Sequence, residues 1–280
     1  MASPNIHNTA AVTVWYHPAE KEIEAVRLYC EQVAFTIIVD NSDEDNSPLL
    51  NGIDRVIYLP LHGNQGIAAA LNRGCEYCQK QGMEWVLTMD QDSRWDQQSV
   101  TGYMQEASAY ADEAKTAIFS PYHDCDGTPW KHHQNGQYEP RPVIMCSGNL
   151  LRLEAWQTAG GFREDFFIDL VDDEICCHVR QLGWQVIRTN RIYLSHHLGN
   201  GVRYLGPTKH QYTPHPAWRY FYIARNIRRM MNLYPAMCKY YKGQIRKYRK
   251  RLWLYDWDDK WTKLREFRRG WREGRPDKTA

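Results

Sequence analysis

The sequence predicts an α/β fold on a mostly parallel, Rossmann-like sheet, and three observations lead there. Short apolar, β-branched runs alternate with helix-compatible stretches between Ala11 and Met89. Two of those runs, "FTIIVD" and "WVLTMD", end on an aspartate, and in such sheets ligands sit beyond the carboxyl ends of the strands. The chain of 280 residues is also long enough for a full hydrophobic core, one domain with an appendage.

Taken in order, "AVTVWY" (Ala11–Tyr16) is the first strand, and a polar, helix-compatible stretch runs from Pro18 to about Val33. "FTIIVD" ends a second strand at Asp40, and "RVIYLP" is the third. From Gly66 to about Gln81 the alanines, Leu71, Cys75 and Cys78 line one helical face. Trp85–Met89 is the fourth strand. The polar stretch His123–Pro142, broken by Gly and Pro, reads as a surface loop, followed by strand-like pieces at Val143–Cys146 and Leu150–Leu153. The acidic "FFIDLVDDEICCHVRQLGW" leads into a helix that stops at Gly183, a good capping residue. Beyond "VIRTNRIYLSHHLGNG" the chain is helical in character.

Charge is unevenly spread. His215–Ala280 holds 19 Lys+Arg against 6 Asp+Glu, while the remaining 16 Lys+Arg and 27 Asp+Glu leave residues 1–214 acidic. A basic tail on an acidic body suggests a polyanionic surface as partner. The polar start "MASPNIHNTA" lacks a signal-peptide layout, and no apolar run reaches the roughly 20 residues a span requires, so a cytoplasmic protein is expected. Its eight cysteines are then expected as reduced thiols. Cys75 and Cys78 form a lone C-x-x-C with no second pair, which argues against a four-ligand zinc site.

Each candidate motif has a chemical and a plain reading. Asp90 and Asp92 lie two apart, so on extended backbone both carboxylates face one side. Hard oxygen pairs at a loop suit Mg²⁺ or Mn²⁺, which complete their shells with phosphate oxygens and water. The plain reading is a turn in which Asp92 or Ser93 caps a helix starting near Asp96. "VDNSDEDNS" lacks the glycine a calcium loop needs, so Asp40 is either a group for a base or ribose or part of a polar turn. "GNQGIAAALNRG" fits no phosphate-loop pattern, and close packing of its helix is favoured. Asp169, Asp172, Asp173 and Glu174 complement a helix dipole, or, set against Phe166, Phe167, Ile168 and Val171, supply a partly desolvated base. His196 and His197 are surface residues or a metal's third ligand.

In this order, "VWYHP", "VDNS", "NQGIAAALNRG", "MDQDS", "SGNLL…GGFREDFFIDLVDDE" and "SHHLG" resemble family 2 inverting glycosyltransferases of the GT-A fold. "GIAAALNRG", "FFIDLVDDE" and "YFYIARN" look closest to bacterial rhamnosyltransferases, and the likeness returns weakly at "GWREG". The resemblance implies a catalytic domain over 1–212 and a helical extension over 213–280. It implies that Trp15, Tyr16 and Asp40 hold the nucleoside, with Asn64, Gly66, Asn72, Asp90 and Gln91 lining the nucleotide crevice. Asp92, Asp90 and His196 would hold Mg²⁺ or Mn²⁺, and Asp172 would be the catalytic base. Ser147, Gly148, Asn149, Asp169 and Glu174 would face the sugar or acceptor. The family's usual Arg six residues after the base is His178 here, with Arg180 nearby.

The resemblance implies transfer from a nucleotide sugar, best dTDP-rhamnose, to a cell-surface polysaccharide or lipid-linked glycan, O-antigen being one such product. A UDP- or GDP-linked donor is the alternative. Tyr241, Ile245, Tyr248, Leu252 and Tyr255 form a helical stripe amid Lys and Arg, with Trp253, Trp257 and Trp261 following. That pattern reads as a peripheral contact with an anionic membrane, as packing on the protein, or as a homodimer contact. A sugar-phosphate nucleotidyltransferase would need a Gly-rich, Arg-bearing loop after strand one, where "YHPAEKE" has neither. A nucleic-acid-binding module would leave Asp90, Asp92, Asp172 and His196 unexplained.

Overall fold

Strand β1 (Thr9–Trp15) is buried along its whole length, as expected for a central strand made of Thr, Ala, Val and Trp. The computed structural model describes residues 2–95, 99–125, 136–196, 203–204, 211–212 and 214–276. After β1 come α1 (Glu20–Arg27), β2 (Thr36–Asp40), β3 (Val56–Pro60), α2 (Ile67–Lys80), β4 (Trp85–Asp90) and β5 (Ser93–Arg94). Then follow α3 (Val100–Ser108), β6 (Thr116–Cys125), β7 (Tyr138–Pro140), β8 (Asn149–Arg152), α4 (Leu153–Thr158), α5 (Val171–Gln181) and β9 (Gln185–His196). The sheet order is β3-β2-β1-β4-β8-β6-β9-β5, with β7 added on β9. It is parallel through β3-β2-β1-β4, as the sequence leads one to expect. Beyond β4 it becomes mixed, because β8 runs antiparallel to both β4 and β6, while β6 and β9 are parallel.

The parallel half brings the carboxyl ends of β1, β2 and β4 side by side, with Trp15 level with Asp40 and Val14 level with Asp90. Helix α2 lies close against this half. A Cβ on Gly74 would fall 2.3 Å from Val12 Cγ1, and Ala68, Ala69 and Ala70 are buried beside it. Close packing is thus what "GIAAALNRG" does. Cys75 and Cys78 sit on the same inward face, where burial pushes both thiols up.

Several expectations are corrected. Val143–Cys146 is not a strand; its apolar residues include Ile144, which is tucked into the core as irregular chain. The stretch His123–Pro142 is not simply a loop: β6 runs on to Cys125 and Tyr138–Pro140 pairs with β9, while residues 126–135 lie outside those described. The first helix ends at Arg27, and a 3₁₀ turn, Cys30–Gln32, takes over.

Contacts group the chain into two units, Met1–Glu164 with Asp172–His197, and Asp165–Val171 with Leu198–Ala280. The second holds β10 (Arg203–Tyr204) paired with β11 (Gln211–Tyr212), then α6 (Ala217–Leu233), α7 (Cys238–Leu254) and α8 (Lys260–Glu273). Within it α8 lies against α6 at Gly270, whose added Cβ would fall 2.0 Å from the Phe221 carbonyl oxygen, and at Gly274, 2.4 Å from that of Arg225. Those two glycines frame "GWREG". The stripe on α7 is a packing face, since Tyr241, Ile245 and Leu252 are buried.

Candidate active site

Asp40 closes β2 and is buried. Its Oδ1 accepts from Ser42 N (2.9 Å), and its Oδ2 from Asn46 Nδ2 (2.8 Å) and the Tyr58 hydroxyl (2.7 Å). It therefore shapes the 41–47 turn, and burial and the carboxylate together raise the Tyr58 pKa. Asn41 Nδ2 donates to Asn64 Oδ1 (3.1 Å), which also accepts from Gly66 N (3.0 Å) at the entry to α2. Asn72 is spent on the protein itself: Nδ2 donates to Phe162 O and Glu164 Oε1, while Oδ1 accepts from Phe162 N and Trp156 Nε1.

At the end of β1, Trp15 is buried and Tyr16 is exposed. Gln91 clips the two strand ends together: Tyr16 N donates to Gln91 Oε1 (2.7 Å), and Gln91 Nε2 donates to Tyr16 O (3.3 Å). Asp90 is fixed through its backbone, whose N–H donates to Ser147 Oγ (3.0 Å). Gly148 N donates to Thr88 O (2.7 Å), and Asn149 opens β8 opposite Thr88.

Asp92 lies in a turn, but neither it nor Ser93 caps the following helix. Helix α3 is capped by Ser99, whose Oγ accepts from Gly102 N, and residues 96–98 lie outside those described. Ser93 instead belongs to β5, where it pairs with His196 of β9. Register alone thus sets the His196 backbone beside the residue after Asp92. The His196 side chain and all of His197 lie outside the described residues.

Asp172 is in the first turn of α5, half-buried, with its Oδ1 accepting from Asp173 N (3.0 Å). It shares the lining of a small cavity of about 10 Å³ with Thr88, Cys146 and Asn149. Thr88 stands two residues before Asp90 on β4. The Cys146 thiol is pushed up by burial first and then by the carboxylates of both Asp90 and Asp172. Glu174 is buried in the same turn. His178 is half-buried on α5, and exposed Arg180 donates to the Pro142 carbonyl at 3.4 Å.

Asp169 lies in the other unit. It takes a bidentate pair from Arg219 (2.9–3.2 Å), and burial raises its pKa against the opposing pull of that guanidinium. Phe167, Asp169 and Leu170 all hold left-handed φ near 62–63°. Non-glycine residues there cost about 1–2 kcal/mol each. Asn226 holds the segment, its Nδ2 lying 2.8–2.9 Å from the carbonyls of Phe166, Ile168 and Asp169. Arg219 and Asn226 were not singled out by sequence reading, although Asn226 closes the quoted "YFYIARN".

Among the described residues no three His, Cys, Asp or Glu side chains cluster as a metal cage. The Asp90/Asp92 turn still offers the donor chemistry of a hard divalent ion that binds few protein carboxylates.

The family described as Glycosyl transferase family 2 matches residues 23–171. The chain is 29% identical over 211 residues to the dTDP-rhamnosyl transferase RfbF of Shigella flexneri, covering 69% of this chain and 70% of that protein. It is 22% identical over 229 residues to the N-acetylglucosaminyl-diphospho-decaprenol L-rhamnosyltransferase of Mycobacterium tuberculosis, covering 66% and 75%. Among solved structures, the crystal structure of GalNAc-T7 with UDP, GalNAc and Mn²⁺ matches with a TM-score of 0.55 at 13% identity. That match covers 69% of this chain but 44% of the other, and the likeness is one of fold alone.

Proposed function

The chain belongs to glycosyl transferase family 2, and we propose that this glycosyltransferase moves L-rhamnose from dTDP-rhamnose to a hydroxyl of a cell-surface polysaccharide or lipid-linked glycan. The observation that carries the chemistry is that Asp172 lines one small cavity with Thr88, which stands two residues before Asp90 on β4, and with Asn149 of β8. The two rhamnosyltransferase relatives support the sugar, and RfbF supports the dTDP carrier.

In this reading Trp15, Tyr16 and Asp40 form the nucleoside end, with Asn64 and Gly66 at the entry to α2 and Asn72 within it shaping that end, and Gln91 fixing the Tyr16 backbone. Asp92, helped by Asp90 and His196, would hold Mg²⁺ or Mn²⁺. When bound, such an ion neutralises charge building on the leaving diphosphate. Asp172 takes the proton from the acceptor hydroxyl as that oxygen attacks the anomeric carbon opposite the diphosphate, which inverts the centre. Ser147 and Asn149 hold the β4–β8 junction on the sugar side. Residues 1–212 carry these roles, and 213–280 form an extension that meets an anionic membrane on its cytoplasmic face, a homodimer being the rival use of that surface.

Thermal shift with dTDP-, UDP- and GDP-sugars, each with Mg²⁺ or Mn²⁺, tests the donor, since a ligand specific to the folded state raises its stability. dTDP-rhamnose with metal should give the largest rise, and Asp92→Ala should remove the metal-dependent part. Asp172→Asn should keep that rise and lose about a hundredfold or more in turnover. Near-normal turnover would sink the base assignment.

A further inference from the structure

The corner between α7 and α8 carries the most anomalous surface in the described residues. Trp257 is 67% and Trp261 74% exposed, and Trp253 and Leu254 beside them are about half exposed. Exposed tryptophans in one place mark a surface meant to be covered. They are not loose ends. The turn beneath them is pinned by Asp256, fully buried, which accepts from the Tyr220 hydroxyl and from Lys263 Nζ, both at 2.6 Å. Lys260 holds the rings together: its Nζ lies 4.0 Å from the Trp257 centroid and 5.1 Å from that of Trp253, and it donates to the Trp253 carbonyl.

Charge tells what covers them. Helix α7 contains no Asp or Glu. Lys242, Arg246, Arg249 and Trp253 recur at spacings of 4, 3 and 4, so they share one face, and that face is exposed throughout. A second copy of the chain would bring the same cations against one another. A bilayer rich in anionic lipid offers phosphates to the cations and an interfacial layer to the indoles, whose amphipathic rings favour that depth. No described helix is long and apolar enough to cross a membrane, so the contact is one of lying on the surface.

We propose that Trp253, Leu254, Trp257 and Trp261 form a rigid interfacial anchor that seats this unit on anionic lipid, with the Lys242–Arg246–Arg249 face along the headgroups. This rests on the membrane reading above and names its contact residues. The buried stripe of α7 has no part in it.

Co-sedimentation of the full chain with phosphatidylglycerol-containing vesicles and with pure phosphatidylcholine vesicles tests it. The wild type should bind the anionic vesicles alone, and the double variant Trp257→Ser/Trp261→Ser should bind them roughly tenfold more weakly, with an unchanged thermal midpoint. Lys242→Glu/Arg246→Glu should abolish binding even at low salt. No wild-type binding would overturn the membrane reading itself. Undiminished binding by the tryptophan variant would overturn the anchor and leave that reading standing. A dimer that dissociates in the tryptophan variant, seen by sedimentation velocity, would assign the corner to self-association and overturn the proposal.

Discussion

Asn72 in the sheet unit and Asp256 in the helical unit are two ways of hiding a polar side chain. In the sheet unit Asn72 is a buried neutral amide bonded to both the N–H and carbonyl of Phe162. The helical unit has such an amide in Asn226 and adds ion pairs, Asp256 with Lys263 fully hidden and Asp169 with Arg219 half-buried. A buried amide keeps its bonds at any pH, whereas a buried ion depends on its partner's charge. The Asn72 contact should therefore hold under conditions that loosen the Asp256 corner.

The sharpest break of that contrast is Asp256→Ala, which leaves Lys263 charged, buried and alone. It should lower stability by about 3–5 kcal/mol in urea unfolding, and a loss under 1 kcal/mol would show that the ion is not what holds the corner.

Next is acid sensitivity. His215 is held down at about 3, from an ordinary 6.5, by burial first and then by the charges of Arg219, Arg251 and Lys263. With the folded pKa below the unfolded one, the unfolded chain takes the proton first. Stability from this group is intact above about pH 6.5 and falls away towards pH 3, by a few kcal/mol in all. Urea unfolding of His215→Gln at several pH values should show a flatter acid limb; an unaltered limb would place the sensitivity elsewhere.

Asn72→Ala should cost about 2–3 kcal/mol by stranding the Phe162 N–H and the Trp156 indole N–H, and the loss should not vary with pH across the range where the Glu164 carboxylate stays ionised. A pH-dependent loss would blur the distinction between the units. The smallest effects are expected at the helix contacts. Gly270→Ala meets a backbone carbonyl and Gly74→Ala a valine side chain, so both should cost about 1–3 kcal/mol with the first larger. Equal thermal shifts would mean that α8 moves aside as easily as Val12 does.

Legibility in the sequence divides along a similar line. Strands β1 to β4 were readable because apolar runs stop abruptly at polar strand ends, and that stop also marked Asp40 and Asp90. Strands β6 and β9 were not, since "TAIFSPYHDC" and "QVIRTNRIYLSH" carry Ser, Thr, Tyr, His and Arg among few aliphatics and pair through an irregular register. Without β9 there was no route from Ser93 to His196. The α7 stripe showed a helix and its face, but periodicity gives no direction, and the face points inward. Phe167, Asp169 and Leu170 gave no warning of left-handed backbone, because glycine and asparagine are the residues that usually announce it.

That last segment bears on the order in which the molecule is made. Residues 165–171 emerge from the ribosome well before Asn226 and Arg219, yet local preference alone would not give them their left-handed turns. The bonds that hold that shape come from Asn226 and Arg219 of α6, so the shape is expected to wait for α6. The stretch that leads into Asp172 is thus among the last parts to mature, and a nascent chain halted before Asn226 would carry the acidic motif in its sequence without its conformation.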